Sequence, residues 1–346
     1  MIKNISQSVK SIPLLMRTAG VLDNRKVNVQ EGVIKGSKKN FRAYYYTPLR
    51  ENTSNLPGIL LVHGMSVYGI EDARLIELAR NLSASGYFVA TPEFQEIKQL
   101  LIREESIENI GDALIGLKKE TGLFNRNRLG FFSVSFSGGM GLLSLSGEKI
   151  RNEVSSVLVV GPYTDFRETV PFVLGNPNAD EYGYFVFLYN FIHLAIKNSK
   201  MLEDVLFESA LDNGFHRGDK SIAPNLAKNL SKRDKEIFES INKSPAFRMD
   251  LGKEFITKKP EIARGLSPIF EIQKIQAHIT LIHGRNDNVI SAEESIKASR
   301  VLTEYNRPHV LELTGLLSHG DKVPVHSQLG DVPGIAKAFG CFLANI

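Results

Sequence analysis

The sequence predicts an α/β fold, a mostly parallel doubly wound sheet with an inserted α-helical segment, and three observations carry that prediction. First, short apolar runs bounded by glycine or proline alternate with helical stretches. Gly58-Ile59-Leu60-Leu61-Val62-His63-Gly64 is followed by the helical spacing Leu75, Leu78, Ala79, Leu82. A continuous apolar run of this length is what a strand buried on both faces requires. Second, this alternation stops near Asp165 and resumes after Leu266, with helical patterns alone in between. Third, Arg128-Leu129-Gly130-Phe131-Phe132-Ser133-Val134 reads as a buried strand that runs straight into the small residues Ser135-Phe136-Ser137-Gly138-Gly139.

The elements follow in order. Residues 1–24 read as a helical or irregular lead-in. Residues 26–34 alternate and 41–47 are aromatic and β-prone, a hairpin with its turn at 35–40. The strand at 58–64 is followed by a helix over 71–85, stopped by Gly86, and a strand over 87–91, closed by Pro92. A helix is expected over 107–119, then the strand 128–134, its helix over 140–145, and a strand over 156–160 ending at Gly161-Pro162. Between 165 and 266, helices are expected over 181–198, 201–213 and 222–243. The first holds the most aromatic run of the chain, 182–191, and a helix apolar on nearly all sides must be buried or line an apolar cavity. A strand at 278–284, a helix over 291–304 opened by a capping box of Ser291 and Glu294, a strand at 309–313 and a helix over 332–343 complete the pattern. The expected organisation is a lead-in (1–24), a core (25–164 and 267–346) and a helical cap (165–266).

Composition narrows the function classes. The 346 residues suffice for a core plus a sizeable insertion, and 42% hydrophobic with 23% charged residues is typical of a soluble globular chain. A net charge of +4, from 42 basic and 38 acidic residues, argues against nucleic acid as a partner. The single cysteine, Cys341, excludes an intramolecular disulfide and a cysteine-rich metal site, and its apolar surroundings read as those of a buried thiol. No run approaches the ~20 apolar residues of a membrane-spanning helix. The apolar patch at 12–16 is interrupted by Pro13 and is too short for a signal-peptide core, so a cytoplasmic location is expected, with a peripheral membrane contact through this segment as an open option.

A strand that turns sharply into a helix holds its junction residue in a strained conformation, and only small neighbours allow so close an approach. Helix N–H groups behind the junction face a developing negative charge. This is the physics of the G-x-S-x-G nucleophile elbow, here written S-x-S-x-S around Ser135. A seven-residue strand from Arg128 to Val134 favours Ser135 over Ser137 as nucleophile. Such a serine needs a base and an acid to orient it. His319 follows the last strand in Thr314-Gly315-Leu316-Leu317-Ser318-His319-Gly320, and Asp287 follows the penultimate strand in Gly284-Arg285-Asn286-Asp287. The oxyanion donors would be the backbone N–H groups of Phe136 and Met65. His63 and His283, each just before a glycine at a strand end, are expected to be structural.

Leu61-Val62-His63-Gly64, the elbow at 133–139, His283-Gly284-Arg285-Asn286-Asp287 and Ser318-His319-Gly320 together resemble the α/β-hydrolase fold superfamily, over residues 41–160 and 265–346. Residues 69–79 and the elbow's Ser137-Gly138-Gly139 resemble bacterial hydrolases of that superfamily; Ser133 departs from its usual elbow glycine. The resemblance implies hydrolysis of an ester, amide or related bond through an acyl-enzyme, with no metal or organic cofactor. The leading expectation is a carboxylesterase or lipase-like enzyme acting on a small, apolar ester. A non-catalytic binding protein on the same scaffold, and a serine peptidase or acyltransferase with the same triad, are the alternatives.

Overall fold

The computed structural model describes residues 2–49, 53–120, 122–317 and 329–346, and for residues 2–7 and 329 the backbone alone. Its strands are β1 (Val27–Lys35), β2 (Asn40–Pro48), β3 (Pro57–Val62), β4 (Phe88–Pro92), β5 (Asn125–Val134), β6 (Ser156–Val160), β7 (His278–Gly284) and β8 (His309–Thr314). They form one sheet in the order β1-β2-β4-β3-β5-β6-β7-β8. β1 with β2 and β2 with β4 are antiparallel; the remaining neighbours are parallel.

Helices α1 (Ile2–Thr18), α2 (Ala73–Ala84), α3 (Gln95–Lys98), α4 (Glu104–Lys119) and α5 (Ser135–Ser146) belong to the first part of the chain. Between β6 and β7 come α6 (Phe166–Gly175), α7 (Glu181–Ala195), α8 (Lys200–Gly214), α9 (Ala223–Leu226), α10 (Lys232–Lys243), α11 (Pro245–Lys258) and α12 (Pro260–Gly265). After them, α13 (Glu293–Glu304) follows β7 and α14 (Val332–Ala344) closes the chain.

The apolar strand runs make sense once the sheet is seen to be covered on both faces. In β3, Leu60 and Val62 enter one core with Ile110 and Leu114 of α4 and Leu142 of α5. Ile59 and Leu61 enter the other, with Leu75 of α2, Leu14 of α1 and Phe342 of α14. Alternate residues of a strand point to opposite faces, so a strand covered twice takes apolar residues at successive positions. A third apolar cluster is built mainly from the helices between β6 and β7, with Phe166, Tyr184, Phe187, Phe191 and Phe255, and also takes in Val67, Leu100, Phe136 and Ile290.

Two expectations from sequence are corrected. The helix expected over 222–243 is broken: Leu230 and Ser231 are extended, and Ser231 accepts the N–H of Asp234 as the N-cap of α10. A serine three residues before an acidic first turn starts a helix more strongly than the apolar periodicity across it can continue one. The capping box at Ser291 and Glu294 does not form, since α13 starts at Glu293 with no side-chain cap. Glu294 is instead buried (2% exposed) and accepts the N–H groups of Thr164 and Asp165 at 2.7 and 2.6 Å and the Thr164 hydroxyl at 3.0 Å. Three donors at a buried site satisfy a carboxylate better than one N–H at a solvated helix end. Burial nevertheless raises the Glu294 carboxyl above its ordinary value.

Candidate active site

β5 ends at Val134 and α5 begins at Ser135 with no residue between them. Ser135 carries the strain of that junction in its backbone, with φ at +55°. A non-glycine residue in the left-handed region is uncommon and is held there only by surroundings that over-determine it. Those surroundings are the parallel ladders on either side of β5, which pair Ser133 with Val62 and with Val159. The left-handed residue is Ser135 and not Ser137. Ser137 is fully buried and donates its hydroxyl to the carbonyl of His63 at 2.6 Å, tying the first turn of α5 to the end of β3.

Ser133 stands where the motif normally has glycine, and the structure shows how it is accommodated. A Cβ on Gly141, on the second turn of α5, would come within 3.2 Å of Ser133 Oγ and 2.6 Å of the Phe131 ring. The space that a strand glycine would leave is supplied by a helix glycine. Ser133 Oγ is buried with no hydrogen-bond partner among the described residues. Earlier in the helix, a Cβ on Gly139 would overlap the Tyr163 ring and one on Gly138 would lie 3.0 Å from Pro162. The helix therefore lies hard against the end of β6.

The loop after β3 passes beside the elbow: a Cβ on Gly64 would stand 3.2 Å from Val134 Cγ2. His63 fixes this loop. Its Nε2 accepts the N–H of Phe94 at 3.1 Å, which leaves Nδ1–H to donate to the Gly64 carbonyl at 2.8 Å. Both ring nitrogens are thus occupied, and burial lowers the pKa of the ring, keeping it neutral. Met65 follows, half-buried, and its carbonyl accepts the Tyr182 hydroxyl at 2.9 Å. Phe136 lies in the first turn of α5, where backbone N–H groups have no helical acceptor.

Asp287 follows β7. Its Oδ1 accepts the N–H groups of Val289 and Ile290, both at 2.9 Å, and its Oδ2 lies 3.7 Å from His283 Nε2. His283 is fully buried, with Nδ1 against Ser295 Oγ at 2.7 Å and Nε2 against the Ile290 carbonyl at 2.9 Å. It braces the loop that bears the aspartate. Gly161, at φ +59° after β6, would bring a Cβ to 3.5 Å from Asp287 Oδ2. The chain leaving β8 runs against this loop, since a Cβ on Gly284 would collide with the Leu317 carbonyl. Arg285 adds a second brace, binding Asp331, whose carboxylate also takes the N–H of Gly315. His319 lies outside the described residues.

The helices between β6 and β7 meet this edge of the sheet through α7. Tyr182 reaches Met65, a Cβ on Gly183 would lie 3.3 Å from Val289, and the Phe187 ring packs edge-on to Phe136 at 5.1 Å. α7 therefore touches the loops after β3 and β7 and the start of α5. Most of its aromatic run is buried, including Tyr184, Phe185, Phe187 and Phe191. A more open contact joins Tyr68 to Phe215, edge to face at 5.5 Å and 42% and 38% exposed.

The structure thus sets Ser135, Phe136, Met65 and Asp287 on loops and a helix start at the C-terminal ends of β5, β3 and β7, where an open α/β sheet presents its site. Two contacts at the site have no sequence signal, that of Tyr182 with Met65 and that of Ser137 with His63. Tyr182 is one of several aromatics in a run whose periodicity does not mark which one leaves the core. Ser137 reads as a small packing residue, and its hydrogen bond depends on a strand that precedes it by more than 70 positions.

No protein-family model and no curated protein matches the chain. Among solved structures it is similar to dipeptidyl peptidase 4 of Porphyromonas gingivalis (TM-score 0.55, 11% identity), covering 93% of this chain and 36% of that one. It is similar to an acylaminoacyl peptidase of Pyrococcus horikoshii (TM-score 0.55, 13% identity), covering 92% and 41%. The chain therefore spans about two-fifths of the length of such peptidases. Brefeldin A esterase, described as a bacterial homologue of human hormone-sensitive lipase, is matched over 96% of this chain and 86% of its own (TM-score 0.54, 15% identity). These neighbours share little sequence with the chain but share its architecture, and the chain has the α/β-hydrolase fold.

Proposed function

We propose that the chain is a serine hydrolase that cleaves carboxylic esters through an acyl-enzyme on Ser135. The observation that carries this reading is the left-handed backbone of Ser135, at φ +55°, at a strand–helix junction with no intervening residue. Strain of this kind costs about 1–3 kcal/mol and persists where it serves a site. In the proposed reaction Ser135 Oγ attacks the ester carbonyl as His319 takes its proton. Asp287 orients His319 and offsets the positive charge that forms on it. The carbonyl oxygen, now negative, accepts from the N–H groups of Phe136 and Met65. The tetrahedral intermediate collapses, the C–O bond to the alcohol breaks, and His319 returns the proton to the departing alkoxide. Water, deprotonated by the same histidine, then releases the acid and restores the serine.

Residues 165–266 would act as the cap of this site. The contacts of Tyr182 with Met65 and of Phe187 with Phe136 support that role. Their apolar surroundings favour an apolar acyl or alcohol group on the substrate. The test is labelling with a fluorophosphonate, followed by location of the adduct and by rates on nitrophenyl esters of increasing chain length. A peptide nitroanilide belongs in the same panel, because peptidases are among the structural neighbours. An adduct on Ser135 with ester turnover is expected. Absence of an adduct on the folded chain removes the reading, and anilide turnover without ester turnover moves it to a peptidase.

A further inference from the structure

We infer that α1 and the turn after it form a docking surface for an anionic phospholipid bilayer. One side of α1 is accounted for by the fold. Ser11 and Leu14 are buried, and Ser11 donates to the Ala336 carbonyl of α14 at 2.8 Å. Another side is apolar and exposed. Val9, Ile12 and Met16 are 54%, 46% and 37% exposed, at spacings of three and four that put them on one helical face. Val21 and Leu22, in the turn that follows, are 66% and 38% exposed. Five of the twelve large hydrophobic residues exposed among the described residues thus fall between positions 9 and 22. Scattered singly they would need no explanation; clustered along one helix they mark an interaction surface.

Charge decides which occupant fits. Residues 8–26 carry Lys10, Arg17, Arg25 and Lys26 against one acid, Asp23. Arg25 and Asp23 form a long, exposed pair at 3.6 Å, while Lys10 and Lys26 are exposed. A second copy docked face to face would set this basic fringe against itself, because a two-fold contact pairs the same patch on both partners. An anionic bilayer receives both parts of the surface: apolar side chains at the acyl boundary and basic heads among the phosphates. The basic stems can lie along apolar surface with their charges still at the headgroups. α1 is 17 residues long with basic residues and a proline inside it, so it lies along the surface and does not span.

The inference is independent of the hydrolase reading and is tested with the full chain. Sedimentation would be measured with vesicles of phosphatidylcholine alone and of phosphatidylcholine with about one-third phosphatidylserine. Binding to the anionic vesicles, weak binding to the neutral ones and loss at high salt are expected. The triple variant V9S/I12S/M16S should bind at least about tenfold more weakly, and K10E/K26E, which alters only exposed charges, about tenfold more weakly. Circular dichroism shows whether each variant is folded; should the triple variant unfold, K10E/K26E and the salt series still decide. No binding to either vesicle, or equal binding by wild type and K10E/K26E, overturns the inference. So does a lipid-free dimer in the ultracentrifuge that the triple variant converts to monomer, since the face would then belong to a second copy.

Discussion

The sheet and the helices between β6 and β7 both bear on the surroundings of Ser135, by different physical means. The sheet holds the elbow through backbone: β5 is paired with β3 as far as Ser133 and with β6 as far as Val134, the residue before Ser135. The insertion holds it through side chains, one hydroxyl on Met65 and one ring on Phe136. A ladder over-determines a backbone conformation, whereas a side-chain contact biases it by about 1 kcal/mol. Substitutions in the sheet's elbow should therefore destroy chemistry or fold, and substitutions in the insertion should tune the rate.

The largest effect expected is that of Ser135→Ala. Under the proposed function it lowers kcat by about 10⁴-fold or more, with the circular dichroism spectrum unchanged. His319→Ala should cost as much, because the two act as a unit, and Asp287→Asn somewhat less. Near-normal ester turnover in any of the three would show that the chemistry does not run through the sheet edge as proposed.

Next comes Gly141→Ala, which tests the space around Ser133. The added methyl meets the Phe131 ring at 2.6 Å and Ser133 Oγ at 3.2 Å, so overpacking of about 1–3 kcal/mol is expected. Thermal unfolding measures it, and the double variant Ser133→Gly/Gly141→Ala should recover only the part owed to the serine. If Gly141→Ala melts like wild type, α5 can move away from β5, and the backbone grip on the elbow is weaker than the ladders imply. Tyr182→Phe sharpens the other half of the comparison. It removes one hydrogen bond to Met65 and should lower kcat by up to about tenfold with KM and the melting temperature nearly unchanged. An unaltered kcat would mean that the insertion covers Met65 without positioning it.

The same contrast explains what could be read from sequence. β6 and β7 span the stretches expected for them, Ser156–Val160 and His278–Gly284, because a strand buried on both faces is a local apolar run with glycine or proline at its end. The elbow was legible because strain demands small residues in a fixed spacing. The insertion was legible only as helical. α6, α11 and α12 lack an isolated signal, and the break before α10 sits between Leu230 and Ile237, apolar positions seven apart that stay in helical register across it. Gly141 could not be matched to Ser133 in advance, since the strand and helix faces that meet are set by packing. Glu294 departs from the role its spacing suggests for a similar reason. Its spacing from Ser291 suited a capping box, while its partners Thr164 and Asp165 lie about 130 residues away.

Glu294 also supplies the smallest effect, at the point where the two regions join. It stands on α13 of the core and binds the backbone at Thr164 and Asp165, where the chain leaves the sheet for the insertion. Burial raises its carboxyl above the ordinary carboxylate range, and the neighbouring Asp165 pushes the same way, against the three hydrogen bonds that lower it. The folded chain therefore holds this proton more tightly than the unfolded chain does. Stability from the protonated form is fully present below the unfolded value and is lost as pH rises through the folded one. Glu294→Gln keeps a carbonyl oxygen for the two N–H donors and removes the charge. The variant should melt close to wild type in mild acid and gain on it by a few degrees at most toward neutral pH. Melting curves of both proteins across that range decide the matter. A difference that stays constant with pH would mean that Glu294 acts only as a hydrogen-bond acceptor, and that the junction between sheet and insertion carries no cost of burying a charge.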